Sequence, residues 1–167
     1  RARAFHSPAV RSRIVSAAPI DRGRWLTHAA GVLWLSGDDR LAFLHRLTTN
    51  RVTDLAPGQG RGTVLLTDTG RVVDWLACHH AADGTVVLTS HPDAAPAVAA
   101  HLARYVLRDR VRITDATDQV VVHRLIGPAA AVAAAALVGG ADAAPAGAFL
   151  RHGDGDATTW ALRHTPP

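Results

Sequence analysis

At 167 residues and 48% hydrophobic content the chain can bury one core of ordinary size. Its formal net charge of +4 is concentrated at one end: residues 1–24 hold six of the 18 arginines and one of the 14 aspartates, so the body carries −1 and no basic stripe of the kind a nucleic-acid face needs. Lys, Glu and Met are absent, a coding bias that excludes a Schiff-base lysine and a glutamate base; the single Cys excludes an internal disulfide framework, as expected of a reducing compartment, and no apolar run nears the roughly 20 residues of a bilayer span.

Residues 1–20, RARAFHSPAVRSRIVSAAPI, are arginine-rich, free of acids and without hydrophobic period, and are expected to form a basic flexible leader. A transit peptide or non-native upstream residues would have the same composition. Residues 21–167 are expected to form one α+β region. From Gly31 the pattern becomes regular: GVLWLSG reads as a strand, Asp38 as an N-cap, and DRLAFLHRLTTN as a helix whose Leu41, Phe43, Leu44 and Leu47 share one face. Pro57-Gly58, Gly60 and Gly62 read as a loop. Two strands follow, RGTVLLTD and RVVDWLACHH, joined by a tight turn at Asp68-Thr69-Gly70, and Asp83-Gly84 reverses the chain into TVVLTS.

His91-Pro92-Asp93 is expected to open a second helix through Val98, Leu102 and Val106, followed by strands at 110–115 and 119–126. A third helix is expected from Pro128 through the alanine-rich run to Gly139-Gly140, then a last hairpin over 147–151 and 158–164. Strands joined by hairpin turns and separated by single helices argue for α+β with a largely antiparallel sheet.

One residue breaks the apolar run at 69–80, TGRVVDWLACHH. Alternation puts Val72, Asp74 and Leu76 on one face, and Arg71, Val73, Trp75 and Ala77 on the other, where Trp75 is expected to be packed. A buried carboxylate without a partner is costly. Asp74 therefore either faces water, pairs with an arginine, or floors a pocket for a donor-rich ligand such as the guanidinium-like edge of a pterin. Cys78-His79-His80 resembles a metal cluster, but neighbouring strand residues point to opposite faces and no second ligand pair has useful spacing. It reads as a buried thiol beside half-exposed histidines, with no metal expected. GQGRG lacks dinucleotide-site spacing and precedes a strand, and no G-x-S-x-G elbow occurs. These residues define no catalytic group.

The order of segments adds to this. GVLWLSGDDRLAFLHRLTTNRVTDL, LLTDTGRVVD, RVRITDAT and LIGPAAAVAAAAL resemble, in order over residues 32–137, the landmarks of the folate-binding YgfZ/GcvT family. The resemblance implies the fold of that family's N-terminal folate-binding region and tetrahydrofolate as cofactor. It implies Asp74 as an acceptor for the pterin, with Asn50, Thr49 and Arg71 lining or rimming the site. In the aminomethyltransferases of the glycine cleavage system the hairpin usually ends in two aspartates, and a carboxylate there contacts the folate near the reacting nitrogen. Here Gly70-Arg71 precedes a single Asp74, and Trp75 stands in the second position. That departure points to the YgfZ-like branch, which binds tetrahydrofolate and assists iron-sulfur cluster assembly or repair, with iron-sulfur client enzymes as partners.

The Lys-Gly-Cys-type segment of that branch is not in these residues, so the chain is expected to be the N-terminal part of a longer protein, cytoplasmic or, if the leader is a transit peptide, in the mitochondrial matrix. This part alone is not expected to be catalytic. The alternatives are an aminomethyltransferase and a folate-free interaction or RNA-binding module that uses the leader. Neither a membrane nor, for the body, a nucleic acid is expected as partner.

Overall fold

The computed structural model describes residues 17–20, 23–28, 30–120, 122–126, 129–130, 132–133, 149–152 and 159–162, with side chains chiefly over 30–120. At the centre is a five-stranded antiparallel sheet in the order β4-β5-β6-β3-β7, built from β3 (Gly31–Ser36), β4 (Gln59–Leu66), β5 (Val72–His80), β6 (Val86–Ser90) and β7 (Arg112–Asp115). Helices α1 (Arg40–Leu47) and α2 (Ala95–Ala103) complete the α+β, largely antiparallel architecture expected. The core lies on the helix side of the sheet. Leu33, Leu35, Leu65, Leu76, Cys78, Val86 and Leu88 from the strands meet Phe43 and Leu44 of α1, and Ala95, Val98 and Leu102 of α2. A smaller cluster on the other side joins Val32, Ala81, Val87 and Ala116 to Trp34, Val120 and Val122.

Helix α1 starts one residue later than its cap signal suggests. Asp39, not Asp38, is the N-cap, and its side chain makes no cap bond. Instead its Oδ2 accepts the Arg110 backbone N–H at 2.8 Å, which ties the start of α1 to the approach of β7. That bond, with the nearby Arg110 charge, holds the Asp39 carboxyl below its usual range. Asp38 pairs with the Arg110 guanidinium at 2.9 Å between two exposed side chains.

Helix α2 is shorter at both ends than the apolar spacing predicts. Residues 91–94 form a turn closed by Ala94 N–H on the His91 carbonyl. After Ala103 the bonds tighten to three-residue spacing, with Arg104 on His101, Tyr105 on Leu102 and Val106 on Ala103. Val106 still packs on the core, so the periodicity reports burial beyond the helix itself. The strand expected from Arg110 begins at Arg112, because Arg110 and Val111 spend their N–H groups on Asp39 and the Asp109 carbonyl.

Gly60 and Gly62 lie within β4, not in a loop. They are small because rings from β5 cross them: an added Cβ would come within 2.2 Å of the His79 imidazole at Gly60 and 2.9 Å of the Trp75 indole at Gly62. This edge strand is closed off by the α1–β4 connection. The Thr49 N–H reaches the Val64 carbonyl at 3.0 Å, the Val64 N–H reaches Thr49 Oγ1 at 3.2 Å, and Thr48 bridges Leu65. The Thr-Thr-Asn segment thus occupies backbone groups that would otherwise template another strand.

Strand β8 (Val122–Ile126) leaves the central sheet and pairs with β2 (Gly23–His28), which pairs in turn with β1 (Ala17–Ile20). Residues 23–28 carry no distinct sequence pattern, and β1 takes the last four residues of the expected leader; residues 1–16 lie outside the described residues. The last hairpin forms as expected between β9 (Phe149–His152) and β10 (Thr159–Leu162). Of the third helix only residues 130, 132 and 133 are described as helical, and the remainder of that expectation falls outside the described residues.

Candidate functional site

The β4–β5 hairpin organises the site. Gly70 closes its turn at φ +75°, and the Arg71 backbone N–H donates to Thr67 Oγ1 at 3.0 Å. The pairing then skips a residue: Leu65 is opposite Asp74 but Leu66 is opposite Val72, which leaves Val73 as the extra residue of a bulge. The bulge corrects the face assignment at the start of the strand. Val73, not Val72, packs against the core, while Val72 is 69% exposed. From Asp74 onward the alternation holds, with Asp74, Leu76 and Cys78 on the helix side and Trp75, Ala77 and His79 on the other.

Asp74 is buried, with 8% of its surface exposed, so it is not in water. Nor, among the described residues, does it pair with an arginine. Its Oδ2 accepts the backbone N–H of His91 at 3.0 Å, and Oδ1 lies 3.4 Å from His91 Nδ1. His91 sits at the junction of β6 and α2, so the carboxylate pins the point where the chain leaves the sheet for the second helix. The His91 ring is 81% exposed, and the main-chain bond is the stronger restraint.

Thr49 and Asn50 come together along β4. The Asn50 N–H donates to Thr63 Oγ1 at 3.0 Å and its side-chain Nδ2 to the Gly62 carbonyl at 2.7 Å. Gly62 is also the residue over which the Trp75 indole lies. Contrary to the expected packing, Trp75 is 48% exposed. Asn50 and Trp75, both exposed, thus meet at Gly62, while Asp74 points to the face opposite Trp75. Arg71 is exposed at the hairpin turn. Alternation alone assigns Trp75 to packing; the signal for its outward placement is the pair of glycines two residues apart on the facing strand, which leave room for a ring.

The histidines beside Cys78 are buried, not half-exposed. His80 Nδ1 lies 2.8 Å from the Leu55 carbonyl and Nε2 lies 3.2 Å from Arg40 Nη2. Arg40 can only donate, so Nε2 accepts and the proton sits on Nδ1, bonded to Leu55. This neutral imidazole links α1, the 49–58 connection and the end of β5. Burial pushes the Cys78 thiol up to about 12, which leaves it protonated and unreactive. Among the described residues no three of His, Cys or Asp converge as a metal site. A cleft of about 240 Å³ lies between the C-terminal end of α1 and the hairpin, lined by Arg46, Thr48, Leu66, Thr67, Asp68 and Tyr105. It contains none of Asp74, Arg71, Asn50 or Thr49.

These features define an α+β domain whose β4–β5 hairpin exposes the Trp75 indole on one side and buries the Asp74 carboxylate on the other. The profile of the GCVT N-terminal domain family matches residues 27–163, and the chain belongs to that family. The chain is also similar to the following proteins. A chloroplastic protein of Arabidopsis thaliana with a provisional transferase name is 36% identical over 99 residues, 59% of this chain and 23% of that protein. The aminomethyltransferase of Cutibacterium acnes is 31% identical over 100 residues, 60% of this chain and 27% of that enzyme. The structure of the glycine cleavage system aminomethyltransferase T of Bartonella henselae superposes with a TM-score of 0.59 at 20% identity, over 72% of this chain and 33% of that one. The first two relatives carry transferase names, which backs the aminomethyltransferase alternative better than the iron-sulfur branch favoured from the hairpin. The chain spans about a quarter to a third of the length of these proteins. Among the described residues no helix is long and apolar enough to cross a membrane.

Proposed function

We propose that this chain is the N-terminal, ligand-positioning part of a tetrahydrofolate-binding protein of the aminomethyltransferase kind. The observation that carries the reading is the family match over residues 27–163, which takes in the hairpin and the Thr49-Asn50 turn. The exposed side chains there suit a folate. A pterin needs a flat apolar surface and a polar edge group, which Trp75 and Asn50 supply, and Arg71 at the rim suits the carboxylates of the folate tail. Thr49 keeps the Asn50 turn clipped to β4. Asp74 acts from behind, as a positioning residue that fixes the β6–α2 junction.

Calorimetry of the full chain with 5-formyltetrahydrofolate tests the reading. Saturable binding by the wild type is expected, with Asp74→Asn binding within about threefold wherever it remains folded. Absence of saturable binding to the wild type overturns the folate assignment. Selective loss of binding in a folded Asp74→Asn would move Asp74 from positioning to ligand contact.

A second reading rests on one specific feature. The hairpin carries a single carboxylate followed by Trp75, a departure from the two-aspartate pattern of the aminomethyltransferases, and this favours a folate protein that assists iron-sulfur cluster assembly or repair over one that transfers a one-carbon unit. The two readings part on catalysis: with Trp75 outward, the chain is expected to bind reduced folate without supporting transfer. Transfer activity in a full-length protein that carries this hairpin would eliminate the iron-sulfur reading.

A further inference from the structure

We propose that Trp75 is the ring-stacking platform of the site, and that it makes this chain select for the planar pyrimidinone ring of a reduced folate by contact area instead of by charge. The inference rests on the folate reading above and adds to it the residue that sets specificity. Three observations point to it. Trp75 is 48% exposed on the face opposite Asp74, whereas Asp74 is 8% exposed and engaged with the His91 N–H. The indole lies across Gly62, where an added Cβ would fall 2.9 Å from its Cζ2, so any larger residue at 62 would push the ring off the strand. The carbonyl of that same Gly62 accepts from the side-chain nitrogen of the exposed Asn50 at 2.7 Å, which anchors a polar amide to the residue beneath the indole.

A flat ring supported from beneath by backbone, with an amide anchored to that same backbone, can stack a planar pyrimidinone ring and give it a hydrogen-bonding edge. A carboxylate in the same place would make a charge-assisted bond to a nitrogen of the ligand. Trp75 cannot. The chain should therefore tolerate changes at the ligand's protonatable nitrogens that a carboxylate site would resist, and should depend strongly on ring contact.

The test uses the full chain with 5-formyltetrahydrofolate, read by calorimetry and by tryptophan fluorescence, for wild type, Trp75→Phe and Trp75→Ala. Stacking on a single aromatic side chain accounts for about a 5- to 100-fold difference in affinity, so Trp75→Ala should weaken binding by at least about fivefold while Trp75→Phe stays within about threefold. Ligand quenching of fluorescence should be large in the wild type and much reduced in Trp75→Phe even though that variant still binds. A merely structural role for the indole would not produce that separation of quenching from affinity. Thermal unfolding confirms that each variant is folded, and Trp75→Phe keeps the test valid if Trp75→Ala is not. Wild-type affinity in folded Trp75→Ala, or undiminished quenching in Trp75→Phe, overturns the platform while leaving the folate reading intact. No binding to any of the three, the wild type included, overturns both.

Discussion

Replacing Asp74 with alanine should cost about 2 kcal/mol of stability, and the structure says where that figure arises. The carboxylate is buried and its Oδ2 accepts one main-chain N–H, from His91, at 3.0 Å. Hydrogen bonds to charged groups contribute roughly 1.5–3 kcal/mol when one partner is deleted, because the orphaned N–H loses water and gains nothing. The second contact, to the exposed His91 ring at 3.4 Å, is screened and adds at most a few tenths of a kcal/mol, about what exposed pairs give. For a chain of this length each kcal/mol moves the midpoint by about 2–4 °C, so Asp74→Ala should melt about 4–8 °C lower in thermal unfolding followed by circular dichroism. Asp74→Asn keeps an oxygen acceptor and loses only the charge, and should lie between alanine and wild type. Amide exchange supplies a local check, since the His91 N–H should exchange faster in Asp74→Ala while amides of α1 do not change. An alanine variant within about 0.5 kcal/mol of wild type, or an asparagine variant as damaged as the alanine, would refute the claim that this carboxylate is a structural acceptor.

Other consequences are as direct. Because burial raises the Cys78 thiol from 9.0 to about 12, the folded chain stays protonated where the unfolded chain ionises. Stability from this group is complete below pH 9 and should fall by roughly 1–2 kcal/mol per pH unit between pH 9 and 12. Urea unfolding against pH should show that limb in the wild type and a flatter one in Cys78→Ala. His80→Leu should destabilise by about 2–3 kcal/mol, since it leaves both the Leu55 carbonyl and Arg40 without their partner; a variant as stable as wild type in urea would contradict the assigned tautomer network. Asn50→Ala removes the exposed bond to the Gly62 carbonyl and should cost about 1 kcal/mol, measured by urea unfolding, with lower folate affinity as the further sign that Asn50 borders the ligand.

The sheet and both helices are legible in the sequence because their apolar spacing matches what is buried: Phe43 and Leu44 on α1, Val98 and Leu102 on α2, and Leu76 and Cys78 on β5 all lie in the main core. What escapes sequence reasoning depends on partners distant in the chain. Asp39 gives up its cap role to the Arg110 N–H, 71 residues away. The GRWLTH strand, β2, has a recognisable edge only once β8 lies beside it, with Trp25 opposite Leu125. Glycines 60 and 62 read as loop residues because glycine is weak in strands, and only the rings crossing from β5 explain them. At the site, the sequence associates Asn50 and Thr49 with each other but not with Trp75. The bulge at Val73 hides which side chains of the hairpin share a face, because a strict two-residue period cannot register an inserted residue.

The regular alternation beyond that bulge bears on how one hairpin can change a side chain while keeping its fold. Consecutive strand residues address opposite faces of a sheet, so a carboxylate at 74 and a side chain at 75 cannot both reach one ligand. The inward position serves the fold through the His91 N–H, and any good acceptor at 74 would meet that need. At the outward position the ring rests on Gly62 and remains half exposed. Position 74 therefore answers to the fold through the bond to His91, while a change at position 75 leaves that bond in place. The match to the family over residues 27–163 is then compatible with a tryptophan at 75, because Trp75 lies on the face opposite the Asp74 bond to His91.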